Sequence, residues 1–392
     1  MPYGYLITVA LIALCTALAL APVRRTRILS TARFRLTLLI NEQPFLAFFA
    51  LVASSLLAFA QGDIDSVGGW AVFGAAALTS LGLAVIAWRG IQARDVLDRA
   101  LREGLGDRYA EPGGRHAAPR RRIWSTVRTV VAPFILRRPD VERLANISYG
   151  DAGKRNMLDV YCHRSCPTGS PVLVYVHGGG YFSGRKSREA RALLYRLASL
   201  GWVCISANYR LRPAATFPDH LVDLKKVIAW VRSHGAEYGA DPSHVIVAGS
   251  SAGGHLAALA ALTQGDPVFQ PGFEDADTSV SAAVVLYGWL RGYYGNPVIP
   301  SSPVDHVGQD APPFFLAHGD HDTLAPVEDA RRFVERLRLA SSAPVVYAEL
   351  PGAQHGFDLF HSVRFDAVVD AIVTFAGWVV QCGGPRRSGH GG

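Results

Sequence analysis

The sequence predicts an α/β domain, a mostly parallel sheet with helices on both faces, preceded by three membrane-spanning helices. Three observations carry that prediction. Uncharged stretches of membrane length crowd into the first 88 of the 392 residues; from about residue 144 short apolar runs alternate with amphipathic ones; and the chain is long enough for roughly two ordinary domains. With 49% hydrophobic and 18% charged residues, intrinsic disorder is excluded. The net charge of +7 is uneven: residues 1–143 hold 18 Lys and Arg against 10 Asp and Glu, the remainder 21 against 22. Basic charge beside apolar stretches points to an anionic lipid leaflet as partner, and the near-neutral remainder gives no electrostatic case for nucleic acid.

Residues 4–21, 44–60 and 67–88 contain no charged side chain, and each can cross or nearly cross a hydrocarbon core about 30 Å thick. A cleaved signal peptide is the alternative for the first, since Ala17-Leu18-Ala19 is a small-residue site, but no Lys or Arg precedes its apolar run. The second and third sit six residues apart around Asp63 and Asp65, the pattern of a tight helical hairpin in the membrane. Arg24, Arg25, Arg27, Arg33 and Arg35 fill the first connector, and Arg89, Arg94, Arg99 and Arg102 follow Trp88. The positive-inside rule then puts the N-terminus outside, and the first connector and everything after residue 88 in the cytoplasm, in a multi-pass protein of the cell membrane.

Residues 89–143 read as a basic juxtamembrane junction, with 13 Lys and Arg against 7 Asp and Glu. It opens with a helix-like stretch, breaks at Pro112-Gly113-Gly114, and carries an apolar run over 123–136 too short to span. That run is expected to lie in the interface, to cover a substrate pocket, or to pack on the following domain.

A soluble α/β domain is expected over 144–380, with a disordered tail over 381–392. Strand-like runs fall at 157–161, 172–176, 202–207, 244–248, 281–287, 314–317 and 345–350, and helical stretches at about 188–200, 218–235, 252–263, 326–340 and 364–380. This alternation argues a parallel sheet covered on both faces, whose ligands bind at the C-terminal strand ends.

Two glycine-rich turns and two loops at such strand ends carry the chemistry. Gly249-Ser250-Ser251-Ala252-Gly253-Gly254 is a G-x-S-x-G run between a strand and a helix. There a sharp turn exposes Ser251 as a nucleophile, and the small neighbours Gly249 and Gly253 avoid clashes. His177-Gly178-Gly179-Gly180 directly follows a strand, where successive glycines let backbone N–H groups point into a cavity as an oxyanion hole requires, with Ala252 N–H to complete it. His177 is expected to brace that loop rather than act as base. A serine nucleophile needs a base and an orienting carboxylate; Asp320 and Asp322 lie in one strand-end loop and His355 in the next, so the chain order is Ser, Asp, His.

At this point the sequence resembles the α/β-hydrolase carboxylesterases of the hormone-sensitive-lipase-like group, and especially actinobacterial membrane-anchored esterases. The matching residues are His177-Gly178-Gly179-Gly180, the run around Ser251, Tyr209-Arg210-Leu211-Arg212-Pro213, His318-Gly319 with Asp322, and His355-Gly356-Phe357. The resemblance implies Ser251 as nucleophile, His355 as base, Asp322 as orienter, and Gly178, Gly179 and Ala252 as oxyanion donors. The segment between Tyr287 and Pro312 is shorter than this pattern has it, which leaves the acyl preference open.

The expected reaction is hydrolysis of lipophilic short- to medium-chain acyl esters or lipids through an acyl-enzyme, with no cofactor. An amidase or formamidase with the same triad, and a non-catalytic membrane scaffold retaining the fold, are the alternatives. Cys162-His163 with Cys166 lacks a second ligand pair, so no metal is expected. Oligomeric state is not legible.

Overall fold

The computed structural model describes residues 3–21, 27–106, 129–130, 133–293 and 298–382. Four N-terminal helices lead into an eight-stranded sheet: α1 (Tyr3–Leu20), α2 (Arg27–Glu42), α3 (Pro44–Ala60) and α4 (Val67–Leu105). The helices α1 and α4 are long and apolar enough to cross a membrane, and α2 with α3 makes a further candidate span bent by 82°, so the count is two or up to three. The expected connector is therefore largely a helix. Pro44 at the first turn of α3 supplies the corner, because proline cannot donate to the preceding turn.

Helix α4 does not stop at Trp88. It runs on to Leu105, about 58 Å in all at 1.5 Å per residue. Ala93, Leu97, Ala100, Leu101 and Leu105 recur at three- and four-residue spacing and are buried in the core of the catalytic domain. Residues 107–128, the middle of the expected junction, and the tail from 383 lie outside the described residues.

The strands are β1 (Val141–Ser148), β2 (Met157–His163), β3 (Ser170–Val176), β4 (Val203–Ala207), β5 (Ala240–Ser250), β6 (Ala282–Leu286), β7 (Phe314–Gly319) and β8 (Val345–Leu350). They lie in the order β1-β2-β4-β3-β5-β6-β7-β8; β1 and β2 pair antiparallel, and every pair from β4 to β8 is parallel. The sheet thus begins at Val141, three residues before the expected boundary. β1 was hidden because it is an edge strand with only Val141 buried. The helices α5 (Arg191–Ser199), α6 (Asp219–His234), α7 (Ala252–Leu262), α8 (Val327–Ala340) and α9 (Val363–Cys382) complete the domain. Two apolar clusters fill it, one with Val174, Val247, Leu256 and Phe333, the other with Ile246, Phe315, Val368 and Phe375. Adjacent residues of one strand, such as Ile246 and Val247, enter different clusters, so the sheet is buried on both faces.

Candidate active site

Between β5 and α7 the chain reverses so sharply that Ser251 takes φ 55° and ψ −117°, a conformation that L side chains avoid. The glycines on either side are required by close approach. A Cβ on Gly249 would lie 2.2 Å from the Gly253 carbonyl oxygen, and one on Gly253 would lie 2.1 Å from that of Val176. Ser251 N–H donates to the Leu286 carbonyl (2.9 Å), and the Ser251 carbonyl accepts from His255 N–H and Trp289 N–H, which fixes the turn.

His355, from the loop after β8, stands 2.8 Å from Ser251 Oγ through Nε2 and 2.7 Å from Asp322 Oδ2 through Nδ1. Asp322, from the loop after β7, also accepts Leu324 N–H and Ala325 N–H at 2.8 Å each on Oδ1. Burial alone would raise its pKa, but His355 and His318 outweigh burial and hold the carboxyl well below the usual range. Asp322 is thus a fully buried anion aimed at the imidazole. Asp320 faces elsewhere: its Oδ1 accepts Gly352 N–H (2.7 Å) and ties the two loops together. The structure brings Ser251, His355 and Asp322 together in one chain of hydrogen bonds and leaves Asp320 outside it.

The glycine loop lies beside Ser251, but its N–H groups divide. Gly178 N–H is engaged by Glu189 Oε2 at 2.5 Å, which departs from the expectation that it faces an oxyanion. Among the described residues, Gly179 N–H and Ala252 N–H meet no acceptor. His177 is buried and stacked on Tyr209 (centroids 4.5 Å, 19°), and burial pushes its pKa down to about 4, so it stays neutral. Tyr209 OH donates to the His177 carbonyl (2.9 Å).

Sequence reasoning missed what lies behind the serine. Asp358, fully buried, accepts hydrogen bonds from Ser250 Oγ, Tyr175 OH (3.2 Å) and Tyr287 OH. Burial beside Asp358 pushes the Glu189 carboxyl up to about 8, and burial raises Asp358 as well. The only local cue was that Asp358 follows His355 by three residues. The contribution of α2 to the site was missed too: Phe34 of that helix meets the His355 ring edge-on (centroids 5.8 Å), and Tyr287 meets it from a second direction (4.6 Å). No cluster of residues able to hold a metal occurs among the described residues.

Residues 158–290 match the BD-FAE family. The chain is 39% identical over 403 residues to a probable carboxylic ester hydrolase, LipM, of Mycobacterium tuberculosis, covering 95% of this chain and 92% of that protein. The chain belongs to the hormone-sensitive-lipase-like carboxylesterases. This esterase is also 37% identical over 329 residues to the esterase LipQ of the same organism, covering 76% of this chain and 77% of LipQ. Among solved structures, a thermophilic esterase of Thermogutta terrifontis with butyrate bound superposes with TM-score 0.51 at 25% identity, over 62% of this chain and 95% of its own. The shared portion is the α/β-hydrolase fold. The protein is accordingly a carboxylic ester hydrolase.

Proposed function

We propose that this esterase is a membrane-anchored serine hydrolase that cleaves lipophilic carboxylic esters through an acyl-enzyme. The observation that carries the reading is the unbroken series from Asp322 through His355 to Ser251, with both hydrogen bonds under 3 Å. His355 Nε2 takes the Ser251 proton as Oγ attacks the ester carbonyl, and the buried Asp322 anion stabilises the imidazolium that results. Gly179 N–H and Ala252 N–H receive the oxyanion, while Gly178 anchors the loop through Glu189. His355 then protonates the leaving alcohol, and water activated by the same imidazole releases the acid.

Anchoring rests on α1, α3 and α4, read as three spans. Leucines and aromatics such as Leu56, Phe59, Leu78 and Leu81 are widely exposed on α3 and α4, as surface in contact with acyl chains would be. The arginine bias of the first connector and of residues 89–143 assigns the catalytic domain to the cytoplasm, beside an anionic leaflet. A reporter active only in the cytoplasm, fused after Gly392, is expected to be active; activity confined to a reporter that works only outside would reverse the topology. The chemistry is tested by labelling with a fluorophosphonate, which reacts only with an activated serine, and by comparing ester with amide turnover. Labelling lost in Ser251→Ala and esters turned over in preference to amides are expected. Labelling that persists would move the nucleophile elsewhere.

A further inference from the structure

Helix α2 joins two parts of the molecule that the sequence separates, the membrane helices and the catalytic loops. Phe34 lies edge-on to His355, and a Cβ at Gly356 would lie 3.4 Å from Phe34 Cε2 and 3.6 Å from Leu38 Cδ1. Those two side chains, four residues apart and so on one face, rest on the residue pair that contains the imidazole. The helix is also tied down along its length. Thr323 Oγ1, next to Asp322, donates to the Ser30 carbonyl (3.3 Å); Gln43 Nε2, just past the end of α2, donates to the His361 carbonyl (3.1 Å); and Glu42 forms an ion pair with Arg364.

The opposite face is of another kind. Leu29, Ala32, Leu36 and Leu39 recur at spacings of three and four, and the three leucines are 46–53% exposed, with Arg35 beside the stripe. An apolar stripe on a polar-margined helix needs an occupant, and the neighbouring elements say which. α2 turns by 82° into α3, so with α3 along the bilayer normal α2 lies close to the membrane plane. Its height follows from two arginines. Arg33 of α2 and Arg89 of α4 both donate to carbonyls at the C-terminal end of α1, Arg33 to Leu18 and Ala21 and Arg89 to Leu20 (3.2 Å). The end of α1, α2 and the first charged residue after Trp88 therefore share one level, the level at which charged side chains replace the uncharged run of α4.

We propose that α2 lies in the membrane surface with Leu29, Leu36 and Leu39 among the lipid chains, that Phe34 and Leu38 wall the entrance to Ser251, and that the substrate is a bilayer-resident acyl ester reaching the serine laterally along α2. This rests on the reading of Ser251 as nucleophile. An ester that stays in the leaflet needs no transfer of its chain through water, and α2, at the level where charged side chains replace the apolar run of α4, carries Phe34 beside His355.

The test uses the full chain in phosphatidylcholine/phosphatidylglycerol vesicles, with two substrates: water-soluble p-nitrophenyl acetate and dioleoylglycerol held in the same vesicles. The double variant Leu36→Gln/Leu39→Gln is expected to keep acetate turnover within about twofold and to lose about tenfold on dioleoylglycerol, because only the embedded substrate depends on the seating of α2. Phe34→Ala should lower kcat/KM for dioleoylglycerol about tenfold relative to acetate, and Phe34→Leu should restore most of it. Equal losses on both substrates, or no loss on either, would overturn the proposal. Fluorophosphonate labelling of each variant reports on folding of the site. A wild-type protein that is labelled and cleaves acetate but ignores the embedded ester would refute lateral entry alone, whereas an unlabelled wild type would refute the nucleophile assignment beneath it.

Discussion

Ser250 donates its hydroxyl to the carboxylate of Asp358, which also receives two tyrosine hydroxyls, while the next residue, Ser251, turns its hydroxyl to His355. Neighbouring serines thus serve opposite sides of the β5–α7 turn. Ser251→Ala should lower kcat by roughly 10⁵ to 10⁶ without loss of stability, since removing a triad serine costs about as much as removing the triad. Ser250→Ala should leave kcat within about tenfold but destabilise the protein by about 1–3 kcal/mol, the cost of leaving a buried acceptor short of a donor. Steady-state kinetics and thermal unfolding of both variants check this; a Ser250→Ala protein as dead as Ser251→Ala would exchange the two roles.

The two aspartates after β7 separate in the same manner. Asp322 is sealed and bonded to His355, whereas Asp320 accepts a backbone N–H from Gly352. Asp322→Asn should cut kcat by about 10⁴, the scale of losing a triad carboxylate's charge and the tautomer it selects. Asp320→Asn should cost far less, and what it costs should come through loosening the His355 loop. If the two variants are equally impaired, the orienting role does not belong to Asp322 alone.

How far these roles were legible follows from whether each signal is local. Ser251, Asp322 and His355 each sit at the end of an apolar run that reads as a strand, so order and placement were enough to pick them out. Strands buried on both faces announce themselves as continuous apolar runs; β1, with Glu142, Arg143 and Asn146 exposed, does not. α2 reads as a connector because five arginines lie between the first two uncharged runs, although its leucines already repeat at helical spacing. Glu189, Asp358, Glu42 and Arg364 act through partners 11 to 322 residues distant, and no periodicity encodes such pairings.

Glu189 gives the stability a pH dependence of definite sign. With its carboxyl pushed from 4.5 up to about 8, the folded state keeps a proton that the unfolded chain releases above about pH 4.5. Its contribution is complete below that value and is lost as pH rises through 8. Asp322, held low, acts in the opposite sense but only below about pH 4, so the windows do not overlap. Glu189→Gln should therefore flatten the fall in Tm between about pH 5 and pH 8.5, and a fall as steep as in the wild type would place the buried proton elsewhere. Because Gln can still accept Gly178 N–H, it should preserve activity, while Glu189→Ala should lower kcat about 10²-fold as the glycine loop shifts from the oxyanion.

Glu42 and Arg364 make the joint between membrane module and catalytic domain answerable to mutation. Both side chains are sealed from solvent, Ser362 Oγ donates to Glu42 (2.7 Å), and Arg364 also reaches the carbonyls of Asn41 (3.3 Å) and Pro351 (3.2 Å). A surface ion pair of this length would contribute little, but removing one member of a buried pair strands the other charge, at about 3–5 kcal/mol. Glu42→Gln should therefore destabilise more than Arg331→Gln, whose ion pair with Glu349 is half exposed, and a conservative Arg364→Lys should recover only part because it loses the second carbonyl contact. Since Glu42 ends the helix that holds Phe34 against His355, the variant should also lose turnover of embedded esters before it unfolds. Thermal unfolding in detergent, read beside activity on both ester classes, checks this; a Glu42→Gln protein as stable as the wild type would mean that the buried face of α4 and the hydrogen bonds of Thr323 and Gln43 hold the two parts together without the ion pair.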